Sequence, residues 1–267
     1  MNALGYHIIL HLSDGRVIAP TQPQRRMLAR VVLEQGRGCG LLAFRGADTH
    51  LHLEVPCDRP AAGRLVRRLK NAVWRRLELP IHFDPVRLKA IEGQHHLRNL
   101  FLYVLRQEQH HGIGLDPYHD SSNLPDLLGM RLLGGYTVAN VRAFLPRVTR
   151  AELLDLLGLA DLDRVPWSAA QLASYLADSA AAAAALPGLA GRSDEVVQAR
   201  RAAVHVAREV LSTHELAALL GFSERSVLRL RREAPQPELV RAVELQLRLR
   251  SRLAVAAGPT GHVGGLR

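Results

Sequence analysis

The stretch THLHLEV, residues 49–55, alternates polar and apolar residues and predicts a β-strand. Side chains on a strand point alternately to its two faces, so His50, His52 and Glu54 share one face. Two imidazoles at i and i+2 on one sheet face can reach a common metal ion. A His-x-His pair also arises by chance in a chain with 13 histidines, so a half-exposed polar sheet face is the alternative interpretation.

The segments around this strand predict the order β-α-β-β-α-β followed by another helix. The predicted elements are a strand at 5–13, a helix at 23–36, strands at 39–44 and 49–55 around a turn at Gly46-Ala47-Asp48, a helix at 60–78, a short strand at 80–83 and a helix at 94–110. This order predicts an α+β fold. Its specific form is a ferredoxin-like split βαβ domain, an antiparallel sheet with helices on one face.

The second half of the chain has an almost wholly helical pattern. We predict a first domain at 1–130, a loop or linker within 112–135, a helical DNA-binding domain at 137–255 and a disordered tail at 256–267. Within the helical domain, residues 213–232 match a helix-turn-helix template. Leu216, Leu220, Phe222, Val227 and Leu230 take the buried positions, Gly221 takes the turn, and Ser212 with Glu215 forms a capping box. A generic helical hairpin is the alternative.

Composition and charge favour a folded protein with a polyanionic partner. The chain has 267 residues, 48% of them hydrophobic, and a net charge of +10, and 33 of its 35 cationic residues are arginine. Arginine matches phosphate oxygens bidentately, and residues 61–106 carry ten Lys/Arg against three Asp/Glu, which favours nucleic acid over a generic arginine-rich surface. The absence of a signal-peptide pattern, a long apolar run and a disulfide framework predicts a cytoplasmic protein that does not bind a membrane.

The predicted helix at 94–110 carries an unusual polar stripe. His96, Asn99, Tyr103, Gln107 and His110 recur at spacings of three and four, opposite an apolar stripe that includes Leu97 and Phe101. These side chains are a phenol, two amides and two imidazoles, which are metal-ligand and nucleophile chemistries. A helix with an uncharged polar face is the alternative.

The two elements together resemble the single-tyrosine HUH transposases, most closely the REP-associated tyrosine transposases, over roughly residues 5–130. His50-Leu51-His52 matches the His-hydrophobic-His motif, Tyr103 lies 51 residues beyond His52, and Gln107 follows Tyr103 by four. Two segments depart from the family pattern. Ala47-Asp48-Thr49 stands where Met-Pro-Asp or Met-Pro-Asn is usual, and Gln107-Glu108-Gln109 stands where the relatives of similar length usually have Asn-Pro-Val.

The resemblance implies a transposase, an endonuclease and strand-transferase that cleaves single-stranded, hairpin-forming DNA through a 5′-phosphotyrosine. Tyr103 would be the catalytic nucleophile, and His50, His52 and Gln107 would bind Mg²⁺ or Mn²⁺. The candidate DNA-binding residues of the first domain are Arg64, Arg67, Arg68, Lys70, Arg75 and Arg76. Those of the helix-turn-helix, which would bind duplex DNA, are Ser223, Arg225, Ser226, Arg229 and Arg232.

Several alternatives stay open from the sequence alone. The chain could be a domesticated DNA-binding regulator without catalysis, or an HUH replication initiator. It could act as a monomer or as a homodimer, and the roles of Glu54, His110 and His111 are undetermined.

Overall fold

The first half of the chain forms a β-sheet with helices on both faces, and the second half is helical. The computed structural model describes residues 3–47, 49–107 and 116–257. The strands are β1 (Gly5–His11), β2 (Ala43–Ala47), β3 (His50–Val55) and β4 (Arg87–Ile91). The helices are α1 (Gln22–Gly36), α2 (Arg59–Arg76), α3 (Gln94–Leu105), α4 (Leu124–Leu127), α5 (Tyr136–Phe144), α6 (Arg150–Asp155), α7 (Ala169–Ala183), α8 (Asp194–Ala207), α9 (Thr213–Leu220), α10 (Glu224–Arg232) and α11 (Pro237–Ala257). The predicted α+β class is confirmed.

The four strands form one antiparallel sheet in the order β2-β3-β1-β4. In the centre of the sheet, His11 lies opposite His50 and Ile9 lies opposite His52. On the outer side of β3, Arg45 lies opposite His52, and on the outer side of β1, Lys89 lies opposite His7. Because directly opposed residues on neighbouring strands share a face, Arg45, Lys89 and these three residues of β1 lie on the same face of the sheet as His50 and His52.

The two faces of the sheet have different chemistry. The apolar face carries Ile8, Leu53 and their neighbours, which are fully buried against Leu65 of α2 and Val32 of α1. The histidine face is covered by α3, whose Phe101 packs in a second apolar cluster with residues of the sheet and of the later helices. The prediction of helices on one face therefore holds for α1 and α2, whereas α3 occupies the opposite face.

Two predicted strands are displaced. The strand predicted at 80–83 is replaced by β4 at Arg87–Ile91, and residue Phe83 makes only an isolated bridge to Leu12. The strand predicted at 39–44 begins four residues later, because Gly38 and Gly40 have φ of 78° and 72° and carry the chain out of α1 in a left-handed turn.

Residues 116–135, the described part of the segment predicted as a loop or linker, are mostly buried. Asn123 accepts a hydrogen bond from the Phe44 amide (3.0 Å) and donates one to the Leu42 carbonyl (2.8 Å). The Ser121 hydroxyl donates to the Gly46 carbonyl (2.7 Å), and the Gly46 amide donates to the Ser121 carbonyl (2.8 Å). Ser121 and Asn123 thereby line the outer edge of β2.

A network of buried charges joins α1 to α7, α11 and the loop that precedes α4. Arg26 of α1 and Arg250 of α11 both pair with Asp120 and Asp178, and three of these four side chains are almost fully buried. The predicted boundary between domains at 130–137 is thus crossed by ionic contacts as well as by apolar packing.

Among the described residues, no helix is both long and apolar enough to cross a membrane.

Candidate active site

Four imidazoles form a row on one face of the sheet. His50 and His52 lie on β3, with ring centroids 5.8 Å apart. His11 of β1 lies 5.4 Å from His50, and His7 of β1 is stacked 5.3 Å from His52. The sequence predicted the β3 pair, and the pairing of β1 with β3 adds the other two.

The two histidines among the predicted metal ligands are each held through Nδ1. The His50 Nδ1 is hydrogen-bonded to the Thr49 hydroxyl (2.9 Å), and the His52 Nδ1 is hydrogen-bonded to the His7 Nε2 (3.1 Å). Metal-binding histidines use this arrangement, in which one ring nitrogen is fixed by a hydrogen bond and the other binds the ion. The Nε2 atoms would therefore be the ligand atoms.

Tyr103 lies on α3 beside the histidine row. Its ring centroid is 6.3 Å from those of both His7 and His52, and it meets their planes edge-on, at 84° and 85°. Its side chain is 41% exposed, while Leu100 and Val104 beside it in the sequence face the core. The packing of α3 on the sheet thus brings the predicted nucleophile beside His52, one of the predicted metal ligands, and leaves it open to a substrate.

Gln107 does not lie on the exposed polar stripe of α3, where the sequence predicted it. His96, Asn99 and Tyr103 form an exposed stripe as expected, but Gln107 lies just past the end of α3 and is fully buried. Its amide nitrogen donates to the Tyr103 carbonyl (3.4 Å), and its Oε1 has no hydrogen-bond partner within the described parts of the chain. A buried amide oxygen without a donor fits a cation ligand. His110 and His111 lie outside the described residues.

Burial changes the pKa of two neighbouring groups. Burial raises the pKa of Glu54 to about 9, and both carboxyl oxygens lack hydrogen-bond partners among the described residues, so the group is a neutral acid at pH 7. Burial, helped by the charges of Lys89 and His96, lowers the pKa of His7 to about 4. His7 is therefore a neutral imidazole at pH 7.

Five residues at or near the site were not predicted from the sequence, two of them histidines, one an aspartate and two of them cations. His7 and His11 are spaced by four on β1, an even spacing that puts both on one face, and this signal could have been used. His11 Nε2 contacts an Asp84 carboxylate oxygen at 3.0 Å. Lys89 and Arg87 are exposed on the same face of β4, which the displaced strand prediction concealed.

Among the described residues, no group of three or more His, Cys, Asp or Glu side chains is arranged to hold a metal ion. A metal site here would combine the two β3 imidazoles with a ligand of another type, such as the Gln107 amide oxygen.

The predicted DNA contacts on α2 lie on the far side of the sheet. Because α2 packs on the apolar face through Leu65, Leu69 and Val73, its outer surface points away from the histidines and Tyr103. The exposed members of the predicted set are Arg64, Arg67, Arg68, Arg75 and Arg76. Lys70 is partly buried and donates to the carbonyls of Phe83 and Asp84, both at 3.2 Å, which is a structural role.

The two helices predicted at 213–232 are present as α9 and α10. Ser212 and Glu215 form the predicted capping box, and Gly221 ends α9 with φ of 70°. Ser223 caps α10, whose Val227 and Leu230 are buried. The residues of this helix pair that were predicted to contact DNA face outward. Ser223, Arg225, Arg229 and Arg232 are exposed and Ser226 is half-buried.

Comparisons of the chain with protein-family models, curated proteins and solved structures found no match.

Proposed function

We propose that this protein is a transposase-type, metal-dependent DNA endonuclease and strand-transferase that cleaves single-stranded, hairpin-forming DNA with Tyr103. The observation that carries the proposal is the position of Tyr103, 6.3 Å from the ring of His52 and partly exposed. A phenol and a histidine pair that are 51 residues apart in sequence meet on one face of the sheet. The proposed site of action is the cytoplasm.

Two parts of the fold support this proposal, the sheet with its helices and the helix pair α9–α10. The order β2-β3-β1-β4, with α1 and α2 on one face, is the arrangement expected of a ferredoxin-like sheet. The pair α9–α10, with a capped start, a glycine turn and a basic outer surface, is what a DNA-binding helix-turn-helix requires. Its exposed Arg225, Arg229 and Arg232 would contact duplex DNA.

The reaction needs the phenol oxygen of Tyr103 to attack a DNA phosphorus. The new bond joins the Tyr103 oxygen to the 5′ phosphate, the bond between phosphorus and the 3′ oxygen breaks, and the 3′ oxygen leaves as a hydroxyl. The phenol proton is lost and the leaving oxygen gains one, so protons balance. Attack by a 3′-hydroxyl on the phosphotyrosine reverses the step and joins strands. A phenol has a pKa near 10, so its position and local environment must favour attack.

Mg²⁺ or Mn²⁺ would be held by His50, His52 and Gln107. When bound, the ion would polarise the scissile phosphate and offset the charge on its oxygens. The hydrogen bonds to Thr49 and His7 orient the two imidazoles, and the buried Oε1 of Gln107 would be the third ligand.

The cations divide into two groups with respect to the site. Arg87 and Lys89 are exposed on the histidine face and would contact phosphates near the cleaved bond. The α2 arginines would contact DNA on the opposite side of the sheet, away from Tyr103. Contacts on both faces suit a folded hairpin better than a short linear strand.

A second candidate function is a DNA-binding regulator that lacks catalysis. The observation in its favour is that α10 presents its basic surface on an element separate from α3 and the sheet, so duplex binding does not require Tyr103.

A covalent-capture assay tests the proposal. The wild-type protein, Tyr103→Phe and the matched control Tyr175→Phe are incubated with labelled single-stranded hairpins, drawn from repeats flanking the gene, and with Mn²⁺ or Mg²⁺. Denaturing gels then report protein that carries DNA. We expect an adduct with wild type and Tyr175→Phe and none with Tyr103→Phe.

The outcomes separate the candidates. An adduct that also requires His50 and His52 supports the nuclease and its metal site. Tight hairpin binding with no adduct in any variant contradicts the nuclease and favours the regulator. An adduct that persists in Tyr103→Phe shows that another residue is the nucleophile and overturns the assignment.

A further inference from the structure

A pocket lies beside the N-terminal half of α3, apart from the histidine row. It has a volume of about 580 Å³ and lies between α3 and the segment that joins α5 to α6. Its lining includes Gln94, His95, Arg98, Phe144 and Arg147. The volume is in the range of small-molecule sites, and the lining combines an aromatic ring with cations.

The exposed side of α3 connects this pocket to Tyr103. Asn99 precedes Tyr103 by one helical turn and His95 precedes Asn99 by another, so the path along the helix is about 12 Å. The Asn99 amide donates to the His95 Nε2 at 2.8 Å, which fixes both side chains along this path. A strand with one phosphate at Tyr103 would therefore reach the pocket within a few nucleotides.

Phe144 is an exposed aromatic ring held in a fixed place. Its side chain is 40% exposed, although the next residue, Leu145, is buried in the apolar cluster under α3. The Gln94 amide donates to the Phe144 carbonyl and ties this turn to α3. A fixed, solvent-facing ring offers a surface on which a nucleobase can stack.

The two arginines of the pocket have different roles. Arg98 is paired with Glu152 of α6 at 2.5 Å, so its charge is largely compensated. Arg147 is exposed and forms no ion pair within the described parts of the chain. A cation with no carboxylate partner among the described residues, next to an exposed aromatic ring, matches a nucleobase stacked on the ring and its adjacent phosphate bound by the cation.

We propose that this pocket binds a nucleotide of the same single strand that Tyr103 cleaves, with the base stacked on Phe144 and a neighbouring phosphate on Arg147. The inference rests on the proposed function, because that function puts a DNA strand at Tyr103. It adds a binding subsite built from α3 and the α5–α6 connection, outside the sheet and its histidines.

The test measures binding rather than cleavage. The full chain carrying Tyr103→Phe is titrated into fluorescently labelled oligo-dT and oligo-dC, and anisotropy gives the Kd. Phe144→Ala, Phe144→Trp and Arg147→Ala are compared, with Arg142→Ala as the control because Arg142 is an exposed arginine of α5 outside the pocket lining.

We expect Phe144→Ala to raise the Kd by about fivefold or more, as loss of one base–aromatic stack does. Phe144→Trp keeps a ring and retains tight binding, and the added indole fluorescence is quenched by the oligonucleotide. Arg147→Ala weakens binding to both sequences and lowers the salt dependence by about one ion, whereas Arg142→Ala does neither.

The results distinguish this pocket from the nuclease itself. Unchanged Kd values for Phe144→Ala and Arg147→Ala, with a Tyr103 adduct still formed by the otherwise wild-type chain, overturn the pocket and leave the nuclease standing. Weakened binding in Phe144→Ala without any Tyr103 adduct in the capture assay supports the pocket and removes the nuclease. Equal displacement of oligo-dT by polyglutamate would show a general anion site and would also overturn the pocket.

Discussion

The buried charges that join α1 to α7 and α11 should contribute strongly to stability, and Asp120→Asn is the change that isolates them. Asp120 is 1% exposed and lies between Arg26 of α1 and Arg250 of α11. Asparagine keeps the volume of the side chain and removes its charge. Within the described parts of the chain, the two arginines would then share only Asp178 as a carboxylate partner.

The contacts of Asp120 give the size of the effect. Its carboxylate accepts from the Gln22 amide at 3.0 Å, from Arg26 Nε at 3.2 Å and from Arg250 Nη2 at 3.4 Å. Removing one partner of a buried ion pair costs about 3–5 kcal/mol because the remaining charge stays buried. Since Asp178 still compensates part of that charge, we expect a loss of about 3 kcal/mol in the free energy of unfolding.

Urea denaturation, followed by far-UV circular dichroism, measures this loss. Asp155→Asn is the control, because the exposed pair of Arg106 and Asp155, at 3.8 Å, should give no measurable change. A loss below about 1 kcal/mol for Asp120→Asn would refute the reasoning. So would a wild-type transition with two separate steps, since the network would then not couple the two halves.

Four further experiments test other parts of the structure. Gly46→Ala should destabilise by about 1–3 kcal/mol in thermal or urea melts, because the new Cβ would lie 2.7 Å from a Leu28 methyl carbon. Gly63 lies inside α2 with open space around it, so Gly63→Ala should instead stabilise the folded protein by about 0.5–1 kcal/mol. Equal effects of Gly46→Ala and Gly63→Ala on stability would contradict the steric difference between the two positions. Although burial opposes its ionisation, the neighbouring arginines hold the pKa of Asp178 below its usual value. The Asp178 carboxylate therefore contributes fully to the free energy of unfolding above its pKa in the unfolded chain, and this contribution is lost as the pH falls through its lower pKa in the folded protein. Asp178→Asn should accordingly be less stable than the wild type at neutral pH and equally stable in strong acid. Burial raises the pKa of the Cys57 thiol to about 11, so its alkylation by iodoacetamide should be slow at pH 7 and accelerate towards pH 11; a fast reaction at pH 7 would count against that environment.

Features set by local sequence were predicted well. The alternation in 49–55 predicted which side of β3 carries the histidines, because the two-residue period of a strand is a local property. Ser212, Gly221 and Ser223 predicted the boundaries of α9 and α10, because capping depends on residues within one turn.

Features set by distant contacts were not predictable in the same way. The fourth strand gains its partner from β1, more than 75 residues earlier, so its apolar pattern alone did not locate it. The burial of Gln107 depends on where α3 ends, and the far-side position of the α2 arginines depends on which sheet face α2 covers. Charge and periodicity carry no information on where α3 ends or on which sheet face α2 covers.

The polar loop that lines β2 has a consequence for how copies of the molecule can meet. An open strand edge invites pairing with a second chain, but Ser121 and Asn123 already occupy hydrogen-bonding groups of β2 and of the residues leading into it. At the other end of the sheet, β4 is only five residues long and exposes Arg87 and Lys89, which repel the same strand of another copy. The sheet is thus shielded at one border by its own chain and at the other by like charge, so that self-association through β-strand addition is opposed on both sides.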